Sequence, residues 1–473
     1  MLLEDFIGGS YPAQTKNANL QRSINLVPTI TGTPGAEGKT PLMLTNAPGM
    51  DLWKILGDQA IRGLHTVDNT LYAVSGHILY KVRNDLSAVA VGELETTEGK
   101  VWLEHNLNFE LAVVDGKNIY IYNWNTDTFA KSNPQPVGQP TSLAFIDQFF
   151  VVSLANSFFF QISEPNNGMV WPPDQLGSAE ANPDNLLVVW NLHRQLYLLG
   201  SDSTEIFYNA GTSPFPFQTT SGVIDWGLAA VDSVAQVADA IAWLGKHKDG
   251  NVRVVAAQGL QAAVISTPGL EARWRQYSTT SNAFSFSFGL DGHDFYVITF
   301  PSGNETFVYD FSTALWHERE SYAAGAWIAR DCAKFVEKYI VSDRRNGNLY
   351  TMSPGLTLEN GQPVVGRRIS PHYWNERKRV VCNAVEVEFE TGPPDGPTVP
   401  ALESKAQLRW SKDNGHTWSN WQQASLGQSG ERAKRVIWRR IGLSRDLVFE
   451  LQVANETVTR ILGANAEFTL GES

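Results

Sequence analysis

Short apolar runs of five to seven residues recur along most of the chain, some alternating with polar residues, and Asn, Asp, Gly and Pro stand between them. Stretches with helical spacing are scarce. This spacing is that of half-buried and buried β-strands, so the pattern predicts an all-β protein of many short strands. The runs are themselves periodic. A unit of apolar strand, polar turn, apolar strand, turn and aromatic strand reads IRGLHTVDNTLYAVSGHILYKV over Ile61–Val82. It returns at Val101–Trp124, Thr141–Ser163, Leu186–Ala210, Val231–Gln258, Phe284–Phe311 and Trp327–Met352. Unit starts about 40 to 50 residues apart leave room for a fourth, outer strand, such as TALWHERES after the sixth unit. Four strands at that spacing match one blade of a β-propeller. A lone blade cannot bury both of its faces, whereas stacking around an axis buries them and leaves only short edges. Seven units predict seven blades, or six if the first or last unit belongs elsewhere.

The flanks break the pattern. Residues 1–50 are rich in Gly, Pro, Asn and Thr, with TGTPGAEGKTP as a flexible stretch, and read as an extended N-terminal arm. After Met352 the period stops. The segments AVEVEFE, AQLRWS, RVIWRRIGL and LVFELQVA alternate apolar and polar positions around the turn-rich loop Gly392–Pro400. The expected division is an arm over 1–50, a β-propeller over 51–360, and an antiparallel β-sandwich or sheet over 361–473.

Composition narrows the function. With 473 residues, 42% apolar and 18% charged, the chain has ample material for a packed core. The formal net charge is −12, which argues against a protein that grips nucleic-acid phosphates with its whole surface. Residues 361–473 carry 15 basic and 13 acidic side chains, a net of +2, so the first 360 residues carry −14. The two cysteines, Cys332 and Cys382, cannot form a disulfide framework and lack zinc-site spacing. No apolar stretch approaches 18 residues, and the segment MLLEDFIGGSYP lacks the charge and apolar run of a signal peptide. A soluble chain without a membrane anchor, made in a reducing cytosol, is expected.

Candidate chemistry is sparse. Phosphate-binding glycine loops, a GxSxG elbow, HExxH and paired CxxC are absent from the sequence. The nine histidines are scattered. His65, His105 and His193 each fall near the turn after a first blade strand, which reads as repeat equivalence, with a metal ring as the remaining possibility. Asp-Gly and Asp-Asn turns are ordinary hairpin formers and lack the oxygen density of a calcium loop. The sharpest local motif is Ser411, Asp413, Gly415, Thr417 and Trp418, which fits S-x-D-x-G-x-T-W and resembles the Asp-box hairpin of sialidases. Ser and Asp bond backbone N–H groups there, Gly takes the strained position and Trp packs beneath, so it reads as a structural turn. The arginine triad and Tyr nucleophile of a sialidase are not assembled by this sequence. Neither catalytic, cofactor-binding nor metal-binding residues are expected, and no enzyme activity. The clusters Arg367-Arg368, Arg377-Lys378-Arg379 and Arg432–Arg440 read either as the solvated faces of strands or as contacts to an acidic partner.

Ser23-Ile24-Asn25-Leu26-Val27-Pro28, a Gly/Pro-rich segment, Ala47-Pro48-Gly49, Arg62-Gly63 and LYAVSGHILYKV follow one another in order. LRWSKDNGHTW and KRVIWRRIGLSRDLVFELQV close the chain. This succession resembles the packaged-DNA stabilisation proteins of short-tailed bacteriophages, also called tail hub or tail nozzle proteins, over nearly the whole length. The resemblance implies a non-enzymatic component of the virion tail, made in the host cytoplasm. It implies a homohexameric ring below the head-to-tail adaptor that extends the channel for double-stranded DNA without reading its sequence. It also implies retention of packaged DNA and anchoring of the tail needle or plug and of tailspikes or fibres. Under that reading, assembly contacts are expected from Ser23, Ile24, Asn25, Leu26 and Pro28, and from the basic strand with Arg435, Trp438, Arg439 and Arg440. The alternative is a sialidase-like or carbohydrate-binding propeller, motivated by the Asp-box motif and the 15 tryptophans.

Overall fold

A computed structural model describes residues 2–32, 41–182, 184–247, 249–376, 378–390, 404–427, 431, 434–454 and 458–470. Residues 33–40 of the flexible stretch, the loop Gly392–Pro400, and Arg377 and Arg432 of the basic clusters lie outside the described residues.

Seven small antiparallel sheets follow one another around an axis. The first blade is Ile61–Val67, Thr70–Ser75, Ile78–Arg83 and Ala88–Glu93, paired in chain order. The second runs from Trp102 to Lys131, the third from Pro140 to Ser178 and the fourth from Leu186 to Ile224 in the same order. Alternation explains the burial. In the second blade, Ala112, Val114, Ile119 and Ile121 enter a core shared with the third and fourth blades. Leu111, Val113, Tyr120 and Tyr122, one residue out of step, enter a core shared with the first. Both faces of each blade are thereby buried, which only a closed stack allows. A short helix, Pro268–Trp274, capped by Thr267, follows the fifth blade and buries Leu270 and Trp274 against the sixth.

The seventh blade takes three strands, Ala329–Phe335, Lys338–Asp343 and Asn348–Ser353, from its own repeat. Its fourth is Gly49–Ile55, antiparallel to Asn348–Ser353. The innermost strand Ala329–Phe335 packs against Ile61–Val67 of the first blade, closing the ring. The expected boundary at residues 50 and 51 therefore falls inside a strand. The reason is that a ring of blades is held shut most economically by hydrogen-bonding its two ends together.

The C-terminal region is a β-sandwich, and the N-terminal arm is woven into it. One sheet runs Leu26–Ile30, Leu42–Asn46, Arg460–Leu470, Val380–Phe389, Val436–Ser444. The other contains Arg22–Ile24, Gly366–Ile369, Asp446–Val453, Lys405–Ser411 and Gln422–Ser425. Leu3, Phe6, Leu26 and Leu44 of the arm sit in the sandwich core with Trp438, Phe449 and Leu451. The second sheet does not stop at the sandwich. Arg22–Ile24 also pairs in parallel with the outer strand of the sixth blade, Leu315–Arg319, through Ile24 opposite Glu318. Backbone hydrogen bonding is thus continuous from propeller to sandwich.

Candidate functional site

The segment Ser23–Pro28 lies in the interior of the chain. Ser23, Ile24, Asn25 and Leu26 are at most 1% exposed, and Pro28 is buried as well. Asn25 holds φ at +53°, a conformation that asparagine tolerates better than most residues. It bonds both units: its Nδ2 donates to the carbonyls of Glu320 (3.0 Å) and Val365 (3.1 Å), and its Oδ1 accepts from the Glu320 amide (3.1 Å). These residues, expected to meet another subunit, are buried within the single chain. Their apolar partners are supplied by distant parts of the same chain.

Arg368 is the centre of this junction. It is fully buried, and its guanidinium donates to the carbonyls of Phe6 (2.7 Å), Gly9 (2.8 Å) and Asp5 (2.9 Å) and to Ser23 Oγ (2.9 Å). Burial pushes its pKa down to about 10. Alternation along Gly366–Ile369 sends Arg367 out to Glu320 (2.5 Å) and Arg368 in. A pair of adjacent arginines in one strand was the available signal, since both cannot face solvent. Beside it, Glu318 accepts from Arg22 Nε (2.8 Å) and Arg273 Nη1 (3.2 Å). Burial alone would raise the Glu318 carboxyl, but Arg22 and Arg273 outweigh it and hold it down at about 2.

The basic strand divides. Val436–Ser444 is an edge strand of its sheet. Trp438, expected as a contact residue, is 2% exposed, and its Nε1 donates to the Gln422 carbonyl (2.8 Å) inside the sandwich core. Arg435 is exposed and grips Glu386 through two bonds of 2.8 and 2.6 Å. Arg439 and Arg440 are exposed, the latter with φ at +62°. The motif Ser411–Trp418 is a closed hairpin turn. Ser411 Oγ accepts from the Gly415 amide (2.8 Å), and Asp413 accepts from the Thr417 amide (2.8 Å) and hydroxyl (2.6 Å). Gly415 sits at φ +76°, and a Cβ there would meet Leu20 Cδ1 at 2.4 Å, which explains the glycine. Those bonds hold the Asp413 carboxyl well below the usual range. Arg409 stacks on Trp418 and Trp421, at 5.0 and 4.5 Å from the ring centroids.

The first strands of six of the seven blades surround a cavity of about 230 Å³ on the propeller axis. Its charged lining is Arg62, Lys100 and Arg330 against Glu104, Asp232 and Asp331. The arginines are engaged internally. Arg62 donates to the carbonyls of Gly99 (2.7 Å), Gly76 (2.8 Å) and Thr96 (2.7 Å), and Arg330 donates to Asp232 (2.7 Å). Lys100 lies over the Trp102 ring at 4.0 Å. His65 Nε2 is 2.8 Å from His105 Nδ1, across the first and second blades. His193 is elsewhere, 3.5 Å from Asp239 in an exposed turn. Burial pushes the Glu104 carboxyl up to about 8, while burial, aided by His105, pushes His65 down to about 3. Glu104 escaped the sequence reading, although an acid in an otherwise apolar first strand, VWLEH, is a signal in itself. Trp171, Trp243, Trp274, Trp316 and Trp327 are fully buried, which accounts for much of the tryptophan content by packing.

A family model described as bacteriophage P22 Gp10, beta-propeller, matches residues 7–356. A second, described as bacteriophage P22 Gp10, beta-sandwich, matches residues 367–469. A search of curated proteins finds no match. Among solved structures, a streptogramin B lyase is similar at 10% identity, covering 65% of this chain and 97% of its own, with a TM-score of 0.45. A catalytically inactive virginiamycin B lyase from Staphylococcus aureus with quinupristin is similar at 10% identity, covering 65% and 99%, with a TM-score of 0.47. The Pan2 WD40 domain of Neurospora crassa shows 10% identity, coverage of 62% and 89%, and a TM-score of 0.42. No residue of this chain takes a role from these structures.

Proposed function

This chain belongs to the bacteriophage P22 Gp10 family of tail hub proteins, a structural family of the virion tail, and from that premise we propose a specific place for it. It forms a homohexameric ring below the head-to-tail adaptor, extends the DNA channel, helps retain packaged DNA, and anchors the tail needle and tailspikes or fibres. It is made in the host cytoplasm and works without catalysis. The observation that carries this reading is the match of both family models, in order, along most of the chain.

The structure supports it physically. A tail ring transmits load between adaptor and needle, and two units joined by one continuous sheet cannot hinge freely. A ring requires heterologous contacts, in which one face of a copy meets a different face of the next. The propeller carries the negative charge of the chain, and Arg439 and Arg440 are exposed on an edge strand of the sandwich. These two arginines are the proposed contact to the acidic propeller of a neighbour. An acidic channel wall lets DNA pass without adhering, because like charges repel and no counterions are released by binding.

Copies per particle, measured by quantitative mass spectrometry of purified virions and normalised to the portal, test the reading. Six copies per twelve portal subunits are expected. Absence of the chain from the particle would overturn the proposal.

A further inference from the structure

We infer that His65, Glu104 and His105 form a binding site for one divalent transition-metal ion of the zinc class, bridging the first and second blades beside the axial cavity. Among the described residues, these three are the group of His, Cys, Asp and Glu whose ligand atoms all come together, each within 4.8 Å of the others. Two imidazoles and a carboxylate are the donor set of many three-ligand zinc sites, with water in the fourth position.

For the two imidazoles the geometry needs little change, and the Glu104 carboxylate lies within 4.8 Å of both. The nitrogens of His65 and His105 are 2.8 Å apart. Around a tetrahedral ion with Zn–N bonds of about 2.0–2.1 Å, two nitrogens stand about 3.4 Å apart. The rings must therefore separate by about half an ångström, within reach of small side-chain rotations. The hydrogen now shared between the rings moves to the far nitrogen of whichever ring carried it, leaving both facing nitrogens as lone-pair donors.

Glu104 supplies the second argument. Its carboxyl is half-buried, lines the cavity and makes no hydrogen bond or ion pair among the described residues, so its oxygens are free to take a ligand. Among the described residues, His65 has no hydrogen-bond partner other than His105. Of the other cations lining the cavity, Arg62 is committed to three carbonyls and Arg330 to Asp232, while Lys100 lies over the Trp102 ring. His65 and Glu104 line the cavity, which has room for a coordinating water. A metal here cross-braces two blades and adds to ring closure. This inference stands on the site alone and does not depend on the role in the tail.

The test uses the full chain, free of any histidine tag, stripped with chelator and dialysed. Titration with cobalt(II) is expected to reach one ion per chain, with visible bands of four-coordinate intensity that zinc displaces. Zinc is expected to raise the thermal midpoint of the chain. His65→Gln and His105→Gln are each expected to weaken cobalt binding at least tenfold, Glu104→Gln to weaken it less, and His193→Gln to leave it unchanged. X-ray absorption at the zinc edge of the unaltered chain, which requires no variant to fold, is expected to show a nitrogen and oxygen shell with two imidazoles. Absence of stoichiometric binding overturns the inference. So does binding that survives both histidine substitutions, or an absorption spectrum without imidazole.

Discussion

Replacing Arg368 by methionine removes a buried cation while keeping most of the side-chain volume. Four donors are lost, at 2.7 to 2.9 Å from the carbonyls of Asp5, Phe6 and Gly9 and the Ser23 hydroxyl. Ser23 Oγ keeps its own bond to the Gly8 carbonyl (2.7 Å), and Asp5 keeps Gln21 Nε2 (3.3 Å). The carbonyls of Phe6 and Gly9 lose the donor that serves them now. An unsatisfied buried acceptor costs about 1–3 kcal/mol. Relief from burying the charge returns part of that loss. A net destabilisation of about 3 kcal/mol is expected, concentrated where the N-terminal residues meet the sandwich. The assay is hydrogen exchange read by mass spectrometry, because it resolves units that a global melt averages. Amides of residues 3–25 are expected to exchange about a hundredfold faster in Arg368→Met, while blades two to four are unchanged. Arg368→Lys is expected to fall between, since one ammonium cannot span four acceptors arranged for a planar fork. Exchange over residues 3–25 that changes less than about fivefold in Arg368→Met, a loss below about 1 kcal/mol, would refute the reasoning.

Four further variants carry expected outcomes. Glu318 is held at about 2 against an ordinary 4.5, so its contribution is present above pH 4.5 and is lost as pH falls toward 2. Glu318→Gln is therefore expected to flatten the acid-unfolding profile between those values by about 3 kcal/mol, read by urea titration at each pH. A chain beginning at residue 49 keeps Gly49–Ile55 and is expected to retain a closed propeller while losing the sandwich core contributed by Leu3, Phe6, Leu26 and Leu44. A chain beginning at residue 57 is expected to open the seventh blade, seen as a lower propeller melting temperature than that of the longer truncation. Arg439→Glu with Arg440→Glu is expected to leave melting within about 0.5 kcal/mol of the parent, as for exposed substitutions, yet to block incorporation into tails in a complementation assay.

The division between legible and illegible features follows the range of the interactions. The blades were readable because their signals are local. A two-residue alternation sets which side chains enter each inter-blade core, and turn residues set the hairpins. The turn Ser411–Trp418 was readable for the same reason, since its hydrogen bonds span at most four residues. The burial of Ser23–Pro28 was not legible because its partners lie about 300 residues or more away, at Glu318, Glu320, Val365 and Arg368. Trp438 looked like part of a basic surface because its neighbours are charged, and only the packing of two sheets reveals which face it takes. The pairing of His65 with His105, and the closeness of Glu104 to both, required the two blades to be set side by side. The all-β class, the repeat and the positions of most strands were legible along the chain, because they arise from residues close in sequence. The closing strand of the seventh blade, the insertion of the arm into the sandwich and the grouping at the cavity emerge only once the chain is folded. They join segments whose meeting depends on the completed ring, and no local pattern encodes that.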